Sequence, residues 1–254
     1  MRVGVFDSGV GGLSVVKSLM KHHLFEEIIY YGDTARVPYG SKDKNTIIRY
    51  AIEAVEFFKN FDIDMIIVAC NSVSAYALEE MQEVASIPVI GVVEAGVLAT
   101  INSLKDPQNN VLILGTKATI NSKAYEKGLQ EHGYHNLTPL ATPLFVPLVE
   151  EGVTQGKVLE SVLEHYFLEK YSPDAIILGC THFPFIASSI DSYFGFSAKL
   201  IHSGDAIVEY LERNFDFSVP KKLESIKFFA SENPEQLRLR AKEWLDLKEE
   251  YGKF

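Results

Sequence analysis

Two stretches of this chain repeat one pattern, Asp64-Met65-Ile66-Ile67-Val68-Ala69-Cys70-Asn71-Ser72 and Asp174-Ala175-Ile176-Ile177-Leu178-Gly179-Cys180-Thr181-His182. Each runs from an acidic residue through an apolar core to a small residue, a cysteine and hydrogen-bonding side chains. A short apolar run without polar alternation marks a strand covered on both faces, as strands of parallel sheets are. Similar runs lie at 3–6, 28–31, 88–93 and 111–114, with segments of helical spacing at 13–21, 46–58 and 75–84. Strands alternating with helices imply parallel sheets joined by right-handed crossovers, an α/β fold. A late strand ending in a polar turn is expected at 199–205, followed by helices at 206–214 and 235–250. Trp244 falls on the apolar side of the last helix, where core packing is its default role.

The repeated frames suggest a duplicated half, and hence two similar doubly wound domains. No low-complexity linker divides the chain, and the boundaries expected near 94–99 and 201–205 return the final helices to the first domain. The domains expected are 1–95 plus 206–254, containing Asp7 and Cys70, and 96–205, containing Glu150, Cys180 and His182. Open α/β sheets bind ligands at the carboxyl ends of their strands, where both thiols fall. Two thiols facing each other there can act on opposite faces of one carbon.

Composition narrows the field. With 254 residues, 47% of them hydrophobic, the chain has enough apolar material for one large or two smaller α/β domains. No stretch approaches the roughly 20 apolar residues of a membrane span. The start, Met1 to Asp7, enters a strand without a signal-peptide layout, so a cytoplasmic location is expected. Two cysteines make no disulfide framework and leave burial, metal binding or catalysis. The formal charge of −10, with scattered basic residues, argues against a nucleic-acid partner. A small anion is still admissible, because helix amino-terminal amides bind carboxylates without lysine or arginine.

Several motifs admit two readings. Asp7-Ser8-Gly9-Val10-Gly11-Gly12-Leu13-Ser14 opens a helix after the first strand and nearly matches a dinucleotide fingerprint, with Asp33 in the place of the ribose-binding acid. The third glycine is absent, however, and Asp7 would repel a pyrophosphate. A plain tight turn explains the glycines but not Asp7-Ser8. Pro38-Tyr39-Gly40 is a loop suited to presenting backbone N–H groups, or a surface loop whose Tyr39 packs on the core. Each cysteine precedes an expected helix start, which lowers a thiol pKa from roughly 8.5 toward neutrality. A lone buried cysteine is more often a core residue; the matched pair favours acid–base work. Cys70, Cys180, His182 and Asp7 also make a formal zinc donor set, without the close cysteine spacing of such sites. Thr116 and Thr119 read as helix caps and Glu150 and Glu151 as solvated carboxylates when taken alone.

Taken in order, Asp7-Ser8-Gly9-x-Gly11-Gly12, Pro38-Tyr39-Gly40, Val68-Ala69-Cys70-Asn71-Ser72, Gly115-Thr116-x-x-Thr119, Val149-Glu150-Glu151-Gly152 and Leu178-Gly179-Cys180-Thr181-His182 resemble the glutamate racemase family. Ser72 departs from the family's usual threonine but keeps the hydroxyl. The resemblance implies an active site in the cleft between two α/β domains, with Cys70 removing the Cα proton of D-glutamate and Cys180 that of L-glutamate. It implies that Asp7 assists Cys70, that His182 assists Cys180, and that Glu150 is a supporting acid. Asp7, Ser8, Pro38, Tyr39, Gly40, Asn71, Ser72, Thr116, Thr119, Thr181 and His182 would surround the amino acid. It further implies a homodimer that supplies D-glutamate for peptidoglycan. No lysine stands in a motif suggestive of a pyridoxal Schiff base, so no cofactor is indicated. The helpers differ, so the two thiols are expected to have different pH profiles, each governing one direction. Aspartate or hydantoin racemisation, Cys/His acyl transfer and non-catalytic amino-acid binding are the alternatives; acyl transfer gives Cys70 no purpose.

Overall fold

The computed structural model describes residues 1–168, 171–217, 220–245 and the backbone of 252–253. Among the described residues, ten strands form two wholly parallel sheets. The first sheet contains β1 (Arg2–Asp7), β2 (Glu27–Gly32), β3 (Met65–Val68) and β4 (Val89–Gly91). The second contains β5 (Val111–Gly115), β6 (Leu137–Ala141), β7 (Ala175–Gly179) and β8 (Lys199–His202). Then β9 (Ser225–Ala230) and β10 (Gly252–Lys253) return to the first sheet, giving the orders β10-β9-β2-β1-β3-β4 and β6-β5-β7-β8. Within the first, β2-β1-β3-β4 has the same arrangement as the whole of the second. The two cysteine frames therefore occupy equivalent strands, β3 and β7.

The strands show why the apolar runs lack alternation. In the first sheet Val3, Val5, Ile28, Tyr30, Met65 and Ile67 point to one face and into a core shared with the second sheet. Their neighbours Phe6, Ile29, Ile66 and Val68 point to the other face and a second core under the helix Lys44–Phe58. Successive strand residues face opposite sides, and here both sides are dry. The helix Val92–Leu104 carries the chain from the first sheet to the second, and Ser203–Asn214 packs against both it and Leu13–Lys21.

Several expected elements differ in detail. The run 88–93 forms a strand only at Val89–Gly91; its remainder starts the helix Val92–Leu104, whose buried residues lie on nearly every side. Such a helix has no polar stripe for periodicity to find. The helix expected at 75–84 is two, Asn71–Tyr76 and Leu78–Val84, with Ala77 at φ −131° between them. The break keeps Asn71 to Ser74 buried at the end of β3 while Met81 packs in the outer core. The last helix runs Pro234–Leu245, and residues 246–250 of the expected helix lie outside the described residues. Strand β6 escapes a pattern-based reading because it is an edge strand with Pro139 inside it and partly exposed side chains. Trp244 is buried in the shared core, its ring 3.8 Å from that of Phe185 in the turn after β7.

Phe58 is the keystone of the outer core. It is 1% exposed, it sits edge-on to Tyr31 and Phe57, and Gly4 in β1 leaves the room its ring occupies. Phe58→Ala is expected to lower unfolding free energy by about 3–5 kcal/mol, measured as a reduced urea midpoint with an unchanged slope.

Candidate active site

In each sheet the strand order reverses between two neighbours, β1 and β3 in the first and β5 and β7 in the second. Doubly wound sheets leave a crevice beyond the carboxyl ends at such points. Asp7 closes β1, Cys70 follows β3, Thr116 follows β5 and Cys180 follows β7. The two crevices converge on one cavity lined by Ser8, Pro38, Tyr39, Gly40, Cys70, Asn71, Ser72, Thr116, Cys180, Thr181 and His182, with Val37 and Val146 as apolar walls. Its volume is about 20 Å³. Both thiols are free and buried.

The surroundings of the thiols differ. Cys180 Sγ lies 3.7 Å from His182 Nδ1, and His182 Nε2 is 2.5 Å from Glu150 Oε1. Burial opposes charging His182, but the hydrogen bonds its ring donates to Cys180 and Glu150 overcome it and hold the imidazole pKa well above its ordinary value. Cys180 thus faces a cationic partner. Cys70 Sγ lies 3.5 Å from the Ser8 hydroxyl. Burial, reinforced by the charge of Asp7, pushes its thiol up to about 12, against the weaker pull of Ser8 and the Val73 N–H. The expected drop toward neutrality at a helix start is therefore overturned for Cys70. The helix amide is present, yet desolvation outweighs it.

Asp7 has no exposed surface. Its Oδ2 accepts from the Gly9 N–H at 3.0 Å and its Oδ1 from the Thr181 hydroxyl at 3.1 Å. Burial raises its pKa, opposed by the charge of His182 and these hydrogen bonds. Its carboxylate already occupies the glycine-rich turn, so a pyrophosphate would meet a buried anion there. Asp33 is likewise committed, to Tyr39, Arg36 and Ser231. The dinucleotide reading fails on both counts. Gly11 serves a close approach: a Cβ there would stand 2.5 Å from both His182 Nδ1 and Thr181 Oγ1. Among the described residues, no group of three or more His, Cys, Asp or Glu is placed to hold a metal ion.

The remaining expected residues fall into place around the cavity. Ser72, from the first sheet's side, contacts Thr116 at 2.9 Å and Thr119 at 3.3 Å, and those two threonines are 3.1 Å apart. Thr116 also caps the helix Lys117–Ser122, its Oγ1 accepting from the Thr119 N–H, as the helix-cap reading expects. Thr119 stands behind the lining, through these hydroxyls, and Glu150 stands behind it through His182. Tyr39 lines the cavity beside Gly40 with its ring buried and its hydroxyl given to Asp33.

Some residues the sequence does not single out. Arg240 Nη2 donates to the Glu150 carbonyl at 2.8 Å and the Tyr30 hydroxyl to the Gly9 carbonyl at 2.7 Å. Ser14 Oγ reaches the Thr181 carbonyl at 2.9 Å. Tyr125 and Ser203 both bond the Asn71 side chain. Of these, only Ser203 carries a signal, because it directly follows a strand at the active edge.

The model of the Asp/Glu/hydantoin racemase family matches residues 13–211. A glutamate racemase of a Nitratiruptor species is 62% identical over 245 residues, covering 96% of each chain. The crystal structure of glutamate racemase from Campylobacter jejuni superposes with a TM-score of 0.94 at 55% identity, over 97% of this chain and 99% of that one. Glutamate racemase from Francisella tularensis, crystallised in complex with D-glutamate, gives a TM-score of 0.84 at 35% identity, over 100% and 96%.

The state of Cys70 can be read in a Cys180→Ser background from ultraviolet thiolate absorbance. At pH about 9, where a free cysteine of pKa about 8.5 is mostly ionised, Cys70 is expected to give little signal. Asp7→Asn removes a charge that opposes the thiolate and is expected to move the titration to lower pH.

Proposed function

The chain belongs to the Asp/Glu/hydantoin racemase family, and we propose that it interconverts L- and D-glutamate through two thiols acting on opposite faces of Cα, without a cofactor. The observation that carries this reading is the placement of Cys70 and Cys180 after equivalent strands, on one cavity. The identity to glutamate racemases along nearly the whole chain supports the substrate.

A Cα proton beside an ionised carboxylate is barely acidic, so removal requires preorganised donors in a site that excludes water. With L-glutamate, the Cys180 thiolate takes the Cα proton, with His182, charged and backed by Glu150, beside it. The Cys70 thiol donates its proton to the opposite face, and D-glutamate forms. Cys70 is then a thiolate and Cys180 a thiol, the form that accepts D-glutamate and runs the same steps backward. Asp7 assists Cys70 by helping to keep its proton in place until it is needed. Ser8, Asn71, Ser72, Thr116 and Thr181, with the backbone at Pro38 to Gly40, hold the amino acid, and Thr119 positions the hydroxyls of Ser72 and Thr116.

The domains that supply the two walls are 1–95 with 206–254 and 96–205. We further propose a cytoplasmic homodimer that supplies D-glutamate for peptidoglycan and so supports cell shape, on the strength of its bacterial glutamate racemase relatives. Among the described residues, no helix is long and apolar enough to cross a membrane.

Incubated with L-glutamate in D₂O and no added cofactor, the protein is expected to lose optical rotation and the Cα proton signal together. Retention of both by folded, reduced protein would sink the reading. Cys70→Ser and Cys180→Ser are each expected to cut racemisation by about 10²–10⁴-fold, and full turnover in either variant would exclude the two-thiol mechanism.

A further inference from the structure

Tyr125 stands behind the site, outside the cavity lining, and reaches it through one side chain of that lining, Asn71. It lies in the helix Ala124–Glu131, is 2% exposed, and its hydroxyl donates to Asn71 Oδ1 at 2.7 Å. Two glycines clear its path. A Cβ at Gly96 would stand 3.0 Å from Tyr125 Cε1 and 3.1 Å from its hydroxyl oxygen. A Cβ at Gly179, the residue before Cys180, would stand 3.3 Å from Cε2. The ring is therefore threaded from the second sheet's side between the helix Val92–Leu104 and the end of β7 to reach a residue that follows β3.

The contact fixes which way the Asn71 amide points. Asn71 Oδ1 accepts from two hydroxyls, the Tyr125 phenol at 2.7 Å and Ser203 Oγ at 3.4 Å, which marks that side of the amide as the oxygen. Asn71 Nδ2 donates one hydrogen to Ser203 Oγ at 3.2 Å. An asparagine amide has two N–H donors and one oxygen, so a second N–H remains for the cavity that Asn71 lines. A flipped amide would oppose its oxygen to any anion there. We infer that Tyr125 is a positioning residue for racemisation: through its hydroxyl it holds the Asn71 amide with a donor toward the substrate's carboxylate. The inference rests on the proposed function, in which Asn71 binds the amino acid.

The test is a double-mutant cycle in steady-state racemisation, with both glutamate enantiomers and with thermal melting of every variant. Tyr125→Phe keeps the ring between the two glycines and removes only the hydroxyl. It is expected to raise KM by about tenfold, the scale of one hydrogen bond to a charged group, with a smaller change in kcat. In an Asn71→Ala background the same substitution is expected to change KM by less than about twofold, because the only group it acts through is gone. A merely structural tyrosine would lower the melting temperature in both backgrounds and leave KM alone. Unchanged KM in Tyr125→Phe, or full additivity with Asn71→Ala, overturns the inference while an active wild type leaves the proposed function standing. An inactive wild type overturns both. Should Tyr125→Phe not fold, Ser203→Ala carries the same cycle, since it leaves the ring in place and removes the hydroxyl that bonds both polar atoms of the Asn71 amide. KM is then expected to rise several-fold, and not at all beside Asn71→Ala.

Discussion

A carboxylate with no solvent at all, Asp7, is the constraint on which the site is arranged. Burying a charge is costly unless it is paired and hydrogen-bonded. Asp7 offsets part of that cost with groups from both sides of the cavity: the Gly9 amide of its own turn, and Thr181 with the charge of His182 from the turn after β7. Gly11 is what lets that second turn come close enough, since a methyl there would strike both Thr181 and His182. One buried anion thereby ties the ends of β1 and β7 together. The same charge, acting on the other side, holds the proton on Cys70. Registration of the two sheets and the acid–base state of one thiol are thus consequences of a single group.

The placement of the cysteines follows from topology. β3 and β7 are flanked in the same way, by β1 and β4 and by β5 and β8, so their carboxyl ends lie at equivalent switch points. Similar strands with similar apolar runs are visible in the chain because both faces of each are buried. The motif residues are also legible, since strand ends, glycine turns and cap positions are local and sequence records local structure well. Ser72 shows the limit of local reading. Its hydroxyl bonds those of Thr116 and Thr119 across the cavity, a partnership that no spacing within the chain discloses.

What the sequence leaves dark is long-range or collective. Arg240 reaches the Glu150 carbonyl from a helix far along the chain, and Trp244 rests on Phe185 from the same helix. Both are ordinary residues on an amphipathic helix until the fold brings them there. Tyr125 resembles any apolar-face tyrosine, and its meaning depends on glycines in two other elements. The pKa of Cys70 escapes the sequence for a related reason. A helix start is a local signal that favours the thiolate, whereas desolvation is a sum over every surrounding side chain and here the larger effect.

The unequal settings of the two thiols carry a thermodynamic restriction that the expectation of one thiol per direction overlooks. L- and D-glutamate are mirror images of equal free energy, so their interconversion has an equilibrium constant of unity. For any catalyst, kcat/KM must then be the same for both enantiomers at every pH, however different Cys70 and Cys180 are. Their asymmetry instead sets which protonated form of the free protein predominates. With Cys70 held as a thiol, the predominant form carries on Cys70 the proton that conversion of L-glutamate delivers to Cα. D-glutamate must meet the minority form, or wait for a proton to leave Cys70. The consequence falls on how kcat and KM are divided for each enantiomer, not on their ratio. An environment that made the thiols alike would equalise the two resting forms, and could do so only by giving up the buried charge of Asp7 on one side or the Glu150–His182 pair on the other.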